Sequence, residues 1–305
     1  MMKNVFSVAL AGWLTAQLLV GCGGPNQEEV GHPKKLVVGL VVADNAEQTF
    51  EHLDVVDRYF TRKLGMEVHF YKITDASSLI EAIRAKKVHV GFAGAFTYLI
   101  AAQKANVEAI ITTAAANGDP KFYQSCFITH PNSGIKTIND LLTRSKEITL
   151  SWAYPTSTSG HLVPRYFLQQ KGLMPEDFKE VVTSTDHTAT ILTVLSRKVD
   201  VAAMTYVTLD RFIRTGKIKK DDVRVLWMSD PIAPSPTFVR KDLDEGLKKR
   251  IQQAYLTMQR DDPEAREALR TQFIFEVKYI PVVDSLYQPL RDMANRVEGL
   301  QLEEK

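Results

Sequence analysis

Leu36-Val37-Val38-Gly39-Leu40-Val41-Val42 is a continuous apolar run without polar alternation. A short run this rich in valine reads as a strand buried on both faces, the situation of a strand in a parallel sheet covered by helices. Outward from it, the pattern alternates. Thr49 to Leu64 sets Phe50, Leu53, Val56, Tyr59 and Phe60 at helical spacing. Glu67 to Tyr71 is a second strand, and Ser77 to Lys86 a second helix with Ser77 or Ser78 as N-cap. Val88 to Phe92 is a third strand, Phe96 to Lys104 a helix and Ala109 to Ala115 a fourth strand. This β-α-β-α-β-α-β order predicts a doubly wound α/β lobe.

The pattern then repeats. Strands are predicted at Phe122 to Thr129, Glu147 to Trp152, Val181 to Thr183, Val199 to Met204 and Val223 to Met228. Helices are predicted at Ile138 to Leu142, His161 to Gln170, His187 to Ser196 and Leu209 to Thr215. Pro231, Pro234 and Pro236 break the chain behind the last strand, and amphipathic helices follow at Leu243 to Met258 and Pro263 to Phe273. Two α/β lobes of similar make follow from this, as the length of 305 residues also suggests. Such pairs place ligands at the carboxyl ends of strands, in the crevice between lobes.

Composition narrows the function. The chain holds 38 basic and 36 acidic residues, a balance that argues against a nucleic-acid binder. A pocket for an anion needs only local donors, so near-neutrality leaves that open. Lys3 followed by the charge-free stretch Val5 to Val20, too short to span a membrane, reads as a signal peptide over residues 1–21. Leu19-Val20-Gly21-Cys22 resembles the bacterial lipobox, in which the cysteine is lipidated and the chain cut just before it. The alternative is a short membrane anchor that happens to end in cysteine. The lipobox reading makes residues 22–33 a flexible tether and places the protein outside the cytoplasm, anchored by lipid.

Tyr154-Pro155-Thr156-Ser157-Thr158-Ser159-Gly160-His161 is the segment richest in chemistry. Four hydroxyl residues lead from a strand into a helix, whose first backbone N–H groups are unpaired and carry partial positive charge. Together they can receive a tetrahedral oxyanion without formal charge; the same residues also suit an ordinary N-cap and turn. A serine nucleophile is disfavoured, because no Gly-x-Ser-x-Gly elbow is present. His187 stands at the start of another helix, either as an anion donor or as a capping or surface residue. No phosphate loop, dinucleotide fingerprint or zinc spacing occurs, so neither cofactor nor metal is expected.

These residues resemble a known family. Pro155 to Pro164 looks like the signature of the phosphonate/phosphite-binding family of ABC-transporter substrate-binding proteins. Lys86 to Phe92, Phe122 to Ile128, Asn132 to Ile135, the stretch from His187 through Val199-Asp200-Val201-Ala202 to Leu209-Asp210, and Pro231 to Pro236 agree in order and spacing. The resemblance implies a periplasmic binding protein-like fold of the second type, two lobes joined by two crossover strands and closing on the ligand. It divides the chain into residues 34–124 with about 231–305 for one lobe and about 125–230 for the other. It implies that Ser157, Thr158 and Ser159 grip the oxyanion, that His187 adds a donor, and that the first lobe contributes from the loop after Val42 and from Gly94, Phe96 and Tyr98. The expected partners are an ABC permease and a small oxyanion, with no enzymatic activity.

Two departures refine the ligand. Members that bind aminoalkylphosphonates carry acids where this chain has Tyr206-Val207-Thr208 and Ser235. A buried ammonium without a carboxylate is costly, so phosphite, phosphate or a simple phosphonate is expected. With Cys22 lipidated, Cys126 is the remaining thiol. It is either a small core side chain or, facing the cleft, a ligand for arsenite in a receptor that signals to a membrane sensor kinase.

Overall fold

Strand β1 (Lys35–Leu40) sends Leu36, Val38 and Leu40 into one core while Val37 packs into another, so both its faces are covered. The chain continues through α1 (Leu53–Leu64), β2 (Glu67–Lys72), α2 (Ala76–Arg84), β3 (Val90–Phe92), α3 (Ala95–Ala105) and β4 (Val107–Thr113). This computed structural model describes residues 31–41, 52–73, 75–272, 278–300 and 302. The expected signal peptide, Cys22, most of the tether, the loop after Val42 and Phe273 lie outside the described residues.

A second series follows: β5 (Ser125–Thr129), α4 (Ile138–Thr143), β6 (Thr149–Trp152), α5 (Val163–Gln170), β7 (Glu180–Thr183), α6 (His187–Leu195), β8 (Val201–Thr205), α7 (Tyr206–Arg214) and β9 (Arg224–Met228). The return leg holds β10 (Pro236–Arg240), α8 (Glu245–Asp261), α9 (Pro263–Gln272), β11 (Tyr279–Pro281) and α10 (Gln288–Arg296). The strands form two sheets, ordered β11-β4-β10-β3-β1-β2 and β7-β6-β8-β5-β9. The architecture is α/β with two sheets, as the sequence pattern predicts.

The Pro-rich return segment holds more order than its composition suggests. Pro236 opens β10, which runs antiparallel between β3 and β4 at the centre of the first sheet. Proline is tolerated as the first residue of a strand, where one missing donor is least harmful. Gly91 of β3 leaves room for the Phe238 ring, because a Cβ there would stand 2.5 Å from Phe238 Cε2. The cap of α2 also differs from expectation. Asp75 accepts the Ser78 N–H at 2.9 Å, since a carboxylate is a stronger acceptor than either serine that follows it.

Two segments cross between the sheets. Tyr123 and Ile232 exchange backbone hydrogen bonds of 3.1 and 2.7 Å, joining the outward and return crossings. Outside the crossings, Arg165 of α5 donates to the Glu298 carbonyl at 2.8 Å, and Gln169 donates to the Arg296 carbonyl at 2.7 Å.

Candidate functional site

The hydroxyl-rich segment folds as a tight turn followed by a single π turn, Thr158–Leu162, that leads straight into α5. Pro155 fixes its own φ, and the Ser157 N–H closes the turn on the Tyr154 carbonyl at 2.9 Å. Ser157 Oγ then accepts the Gly160 N–H at 2.9 Å, so this hydroxyl is the cap of the turn. His161 Nδ1 donates to the Pro155 carbonyl at 2.5 Å, which ties the far end of the turn to its beginning. Ser157, Thr158, Ser159 and His161 are all buried.

Four elements meet over Thr158. Its hydroxyl oxygen accepts the Phe96 N–H of α3 at 2.9 Å, across the gap between the two sheets. Gly94 caps α3 from the same side, and a Cβ placed on it would lie 3.4 Å from Thr158 Oγ1. The phenol of Tyr123, on the outward crossing, faces the hydroxyls of Thr158 and Ser159, and burial, which they partly offset, pushes its pKa up to about 12. Ser125 Oγ donates to the Ser159 carbonyl at 2.5 Å and so holds the π turn against β5.

His187 opens α6, buried beside Gly160. Its Nδ1 accepts the Thr205 N–H at 3.4 Å. In the neutral ring the proton is therefore on Nε2, a donor. Burial lowers the pKa of His187 to about 4, against a small opposing pull from Asp186. Burial lowers His161 to about 4 as well, with the Pro155 hydrogen bond opposing. Both rings are therefore neutral near pH 7, and the hydroxyls and imidazole around Thr158 offer donors without a formal charge.

Several candidates stand elsewhere. Tyr98 donates to Asp284 at 2.5 Å, accepts the Ala109 N–H at 3.3 Å, and packs on Phe238 and Tyr287. It faces the core behind α3 rather than the cleft. The Phe96 side chain is also in that core, and only its backbone reaches Thr158. Cys126 corrects the arsenite reading. Strand alternation sends Ser125 and Phe127 one way and Cys126 the other, onto Ile191 and Val194 of α6 and Leu209 and Phe212 of α7. Burial alone pushes this thiol far up, so it is an inert core side chain and not a cleft ligand.

Val207 lies in the first turn of α7, its N–H on the Thr205 hydroxyl at 3.3 Å, and the Ser235 carbonyl accepts from Thr112 at 3.0 Å. Tyr123, His161 and Thr205 are structural contributors that the sequence pattern did not single out. Tyr123 and Thr205 reach partners distant in the chain, and His161 closes on Pro155 six residues earlier; none of these contacts leaves a periodicity. Among the described residues, no three His, Cys, Asp or Glu side chains cluster as metal ligands. No described helix is long and apolar enough to cross a membrane.

Comparison with known proteins gives consistent results. The family model for "ABC transporter, phosphonate, periplasmic substrate-binding protein" matches residues 38–287. The phosphonates-binding periplasmic protein of Escherichia coli is 28% identical over 250 residues, covering 82% of this chain and 72% of that one. A probable ABC transporter phosphite binding protein of Prochlorococcus marinus is 22% identical over 235 residues, covering 74% and 78%. The crystal structure of a Prochlorococcus marinus protein in complex with methylphosphonate superposes with a TM-score of 0.74 at 19% identity, covering 86% of this chain and 98% of that one.

Proposed function

Because the chain belongs to the phosphonate family of ABC-transporter periplasmic substrate-binding proteins, we propose that it captures a small phosphorus oxyanion and delivers it to an ABC permease. Phosphite, phosphate or a simple phosphonate is the expected ligand. The family's role is transport and not catalysis.

The observation that carries this reading is the convergence of the Tyr123, Thr158 and Ser159 hydroxyls beside the π turn, with a neutral His187 alongside. Buried neutral donors hold an oxyanion by hydrogen bonds that water no longer contests. The ligands named for similar proteins, phosphonates, phosphite and methylphosphonate, belong to the same class. Tyr206-Val207-Thr208 and Ser235 stand where the resemblance places the acids of aminoalkylphosphonate-binding members, and they disfavour a ligand with an ammonium group.

Residues 34–124 with about 231–305 act as one jaw and about 125–230 as the other, with Thr158 and Phe96 meeting when the jaws close. The ligand favours the closed form by contacts available only there. Titration calorimetry with phosphite, phosphate and methylphosphonate tests the assignment. Thr158→Ala and His187→Ala should each weaken binding by about 1–3 kcal/mol, the cost of leaving a buried partner unmet. Unchanged affinity in both variants would remove the site from these residues.

Lipid attachment at Cys22 belongs to the same proposal. Cys22→Ser should move the protein from the membrane fraction to the soluble periplasmic fraction. A variant that still sediments with membranes would sink the anchor.

A further inference from the structure

Tyr154 is half-buried beside the site, next to His187, and is not among the donors of the oxyanion grip described above. Its ring meets His187 edge to face, with centroids 5.8 Å apart and planes inclined at 61°. Its hydroxyl lies on the other jaw's side. The point one Cβ out from Gly94 is 4.0 Å from Tyr154 Oη and 3.4 Å from Thr158 Oγ1. The phenol of Tyr154 therefore fills space beside the Thr158 hydroxyl, between His187 and the Gly94 turn.

This ring is held by its backbone. Ser157 N–H closes on the Tyr154 carbonyl at 2.9 Å, and Ala153 N–H on the Gly160 carbonyl at 3.0 Å. Pro155, next in the chain, restricts Tyr154 to extended conformations. The backbone that carries the ring is therefore fixed, and the ring itself packs on His187.

We propose that Tyr154 is the specificity-determining residue of the cleft: it occupies the volume that a long substituent on phosphorus would need, and so limits the ligand to phosphite, phosphate and one-carbon phosphonates. The inference rests on the function proposed above. An alkyl chain entering this space has to displace an aromatic ring wedged between His187 and α3. Removing the ring opens a slot whose remaining walls, the His187 face and Gly94, are small or flat. Discrimination by a filled pocket is worth about 10- to 200-fold per excluded group.

The test is calorimetric titration of the purified protein and of Tyr154→Ala and Tyr154→Phe with phosphite, methylphosphonate and butylphosphonate. The native protein should bind the first two and bind butylphosphonate at least about 10-fold more weakly. Tyr154→Phe keeps the ring and should keep that ratio. Tyr154→Ala should shrink the ratio by about 10-fold or more, mainly through tighter butylphosphonate binding. A ratio unchanged in Tyr154→Ala, or lost equally in Tyr154→Phe, overturns the role assigned to the ring and leaves the function standing. Failure of the native protein to bind phosphite, phosphate or either phosphonate overturns the function and this inference together. A thermal unfolding curve for each variant confirms that the compared proteins are folded.

Discussion

Alanine at position 160 is expected to remove most ligand affinity and to cost about 1–3 kcal/mol of stability, the usual penalty of overpacking. A Cβ on Gly160 would collide with Ala153 Cβ and stand 2.9 Å from His187 Cε1 and 3.0 Å from Ser157 Oγ. The backbone cannot simply retreat. The Gly160 carbonyl is held by Ala153 N–H at 3.0 Å, and its N–H by Ser157 Oγ at 2.9 Å. Relief therefore requires either unwinding the π turn that presents Thr158 and Ser159 or driving His187 from its place on Thr205. Both movements dismantle the donor set. The sign is diagnostic, because intrinsic helix propensity alone would make Gly→Ala favourable by about 1 kcal/mol. Thermal unfolding and phosphite titration check it together. A variant as stable as the native protein, with native affinity, would show that the close packing at Gly160 is not a requirement of the site.

The second large effect is acid sensitivity well above the pH at which carboxylates protonate. His161 and His187 have folded pKa values of about 4 against 6.5 for a free histidine. Between these values the unfolded chain binds protons that the folded chain refuses, so stability falls as pH falls. The contribution of each ring is complete above about pH 7 and is lost progressively from about 6.5 down to about 4. A shift of this size amounts to about 2 kcal/mol per ring by pH 5 and about 3 kcal/mol by pH 4. Asp242, held low by Arg240, keeps its charge through the same window and does not mask the effect. Urea unfolding at pH 7, 6, 5 and 4 reads the slope. Replacing either histidine by asparagine should flatten it by about half, and a flat native profile between pH 7 and 5 would contradict the buried neutral assignment.

Legibility in the sequence followed the kind of interaction involved. Strands such as Leu36 to Leu40 and Leu150 to Trp152 are buried by their own apolar side chains, so composition reveals them. β10 is buried by its neighbours, and three prolines nearby masked it, although Phe238 and Val239 are fully buried. The hydroxyl motif was legible because a strand, four hydroxyls and a helix lie consecutively. Tyr98 was misplaced because a position in the chain near a site says nothing of direction: α3 begins at Ala95, and its fourth residue, Tyr98, turns toward Asp284. Cys126 was settled by strand alternation, which requires knowing which face of β5 covers which helices. Tyr123 and Thr205 act across distances of many residues, and no local pattern encodes such a partner.

The position of β10 carries a consequence for how the molecule is made. The first sheet is interrupted: its central strand, residues 236–240, comes after the whole of the second sheet in the chain. A chain emerging N-terminus first from a channel therefore presents β3 and β4 with no strand to join them until residue 240 is out. The second sheet, built from residues 125–228 alone, has all its strands earlier. Assembly is thus ordered by geography, the inserted half maturing first while the half that starts the chain waits with open strand edges. Open edges are the most aggregation-prone surfaces a sheet can show. The emerging protein is most in need of a holding chaperone in the interval between residues 113 and 240.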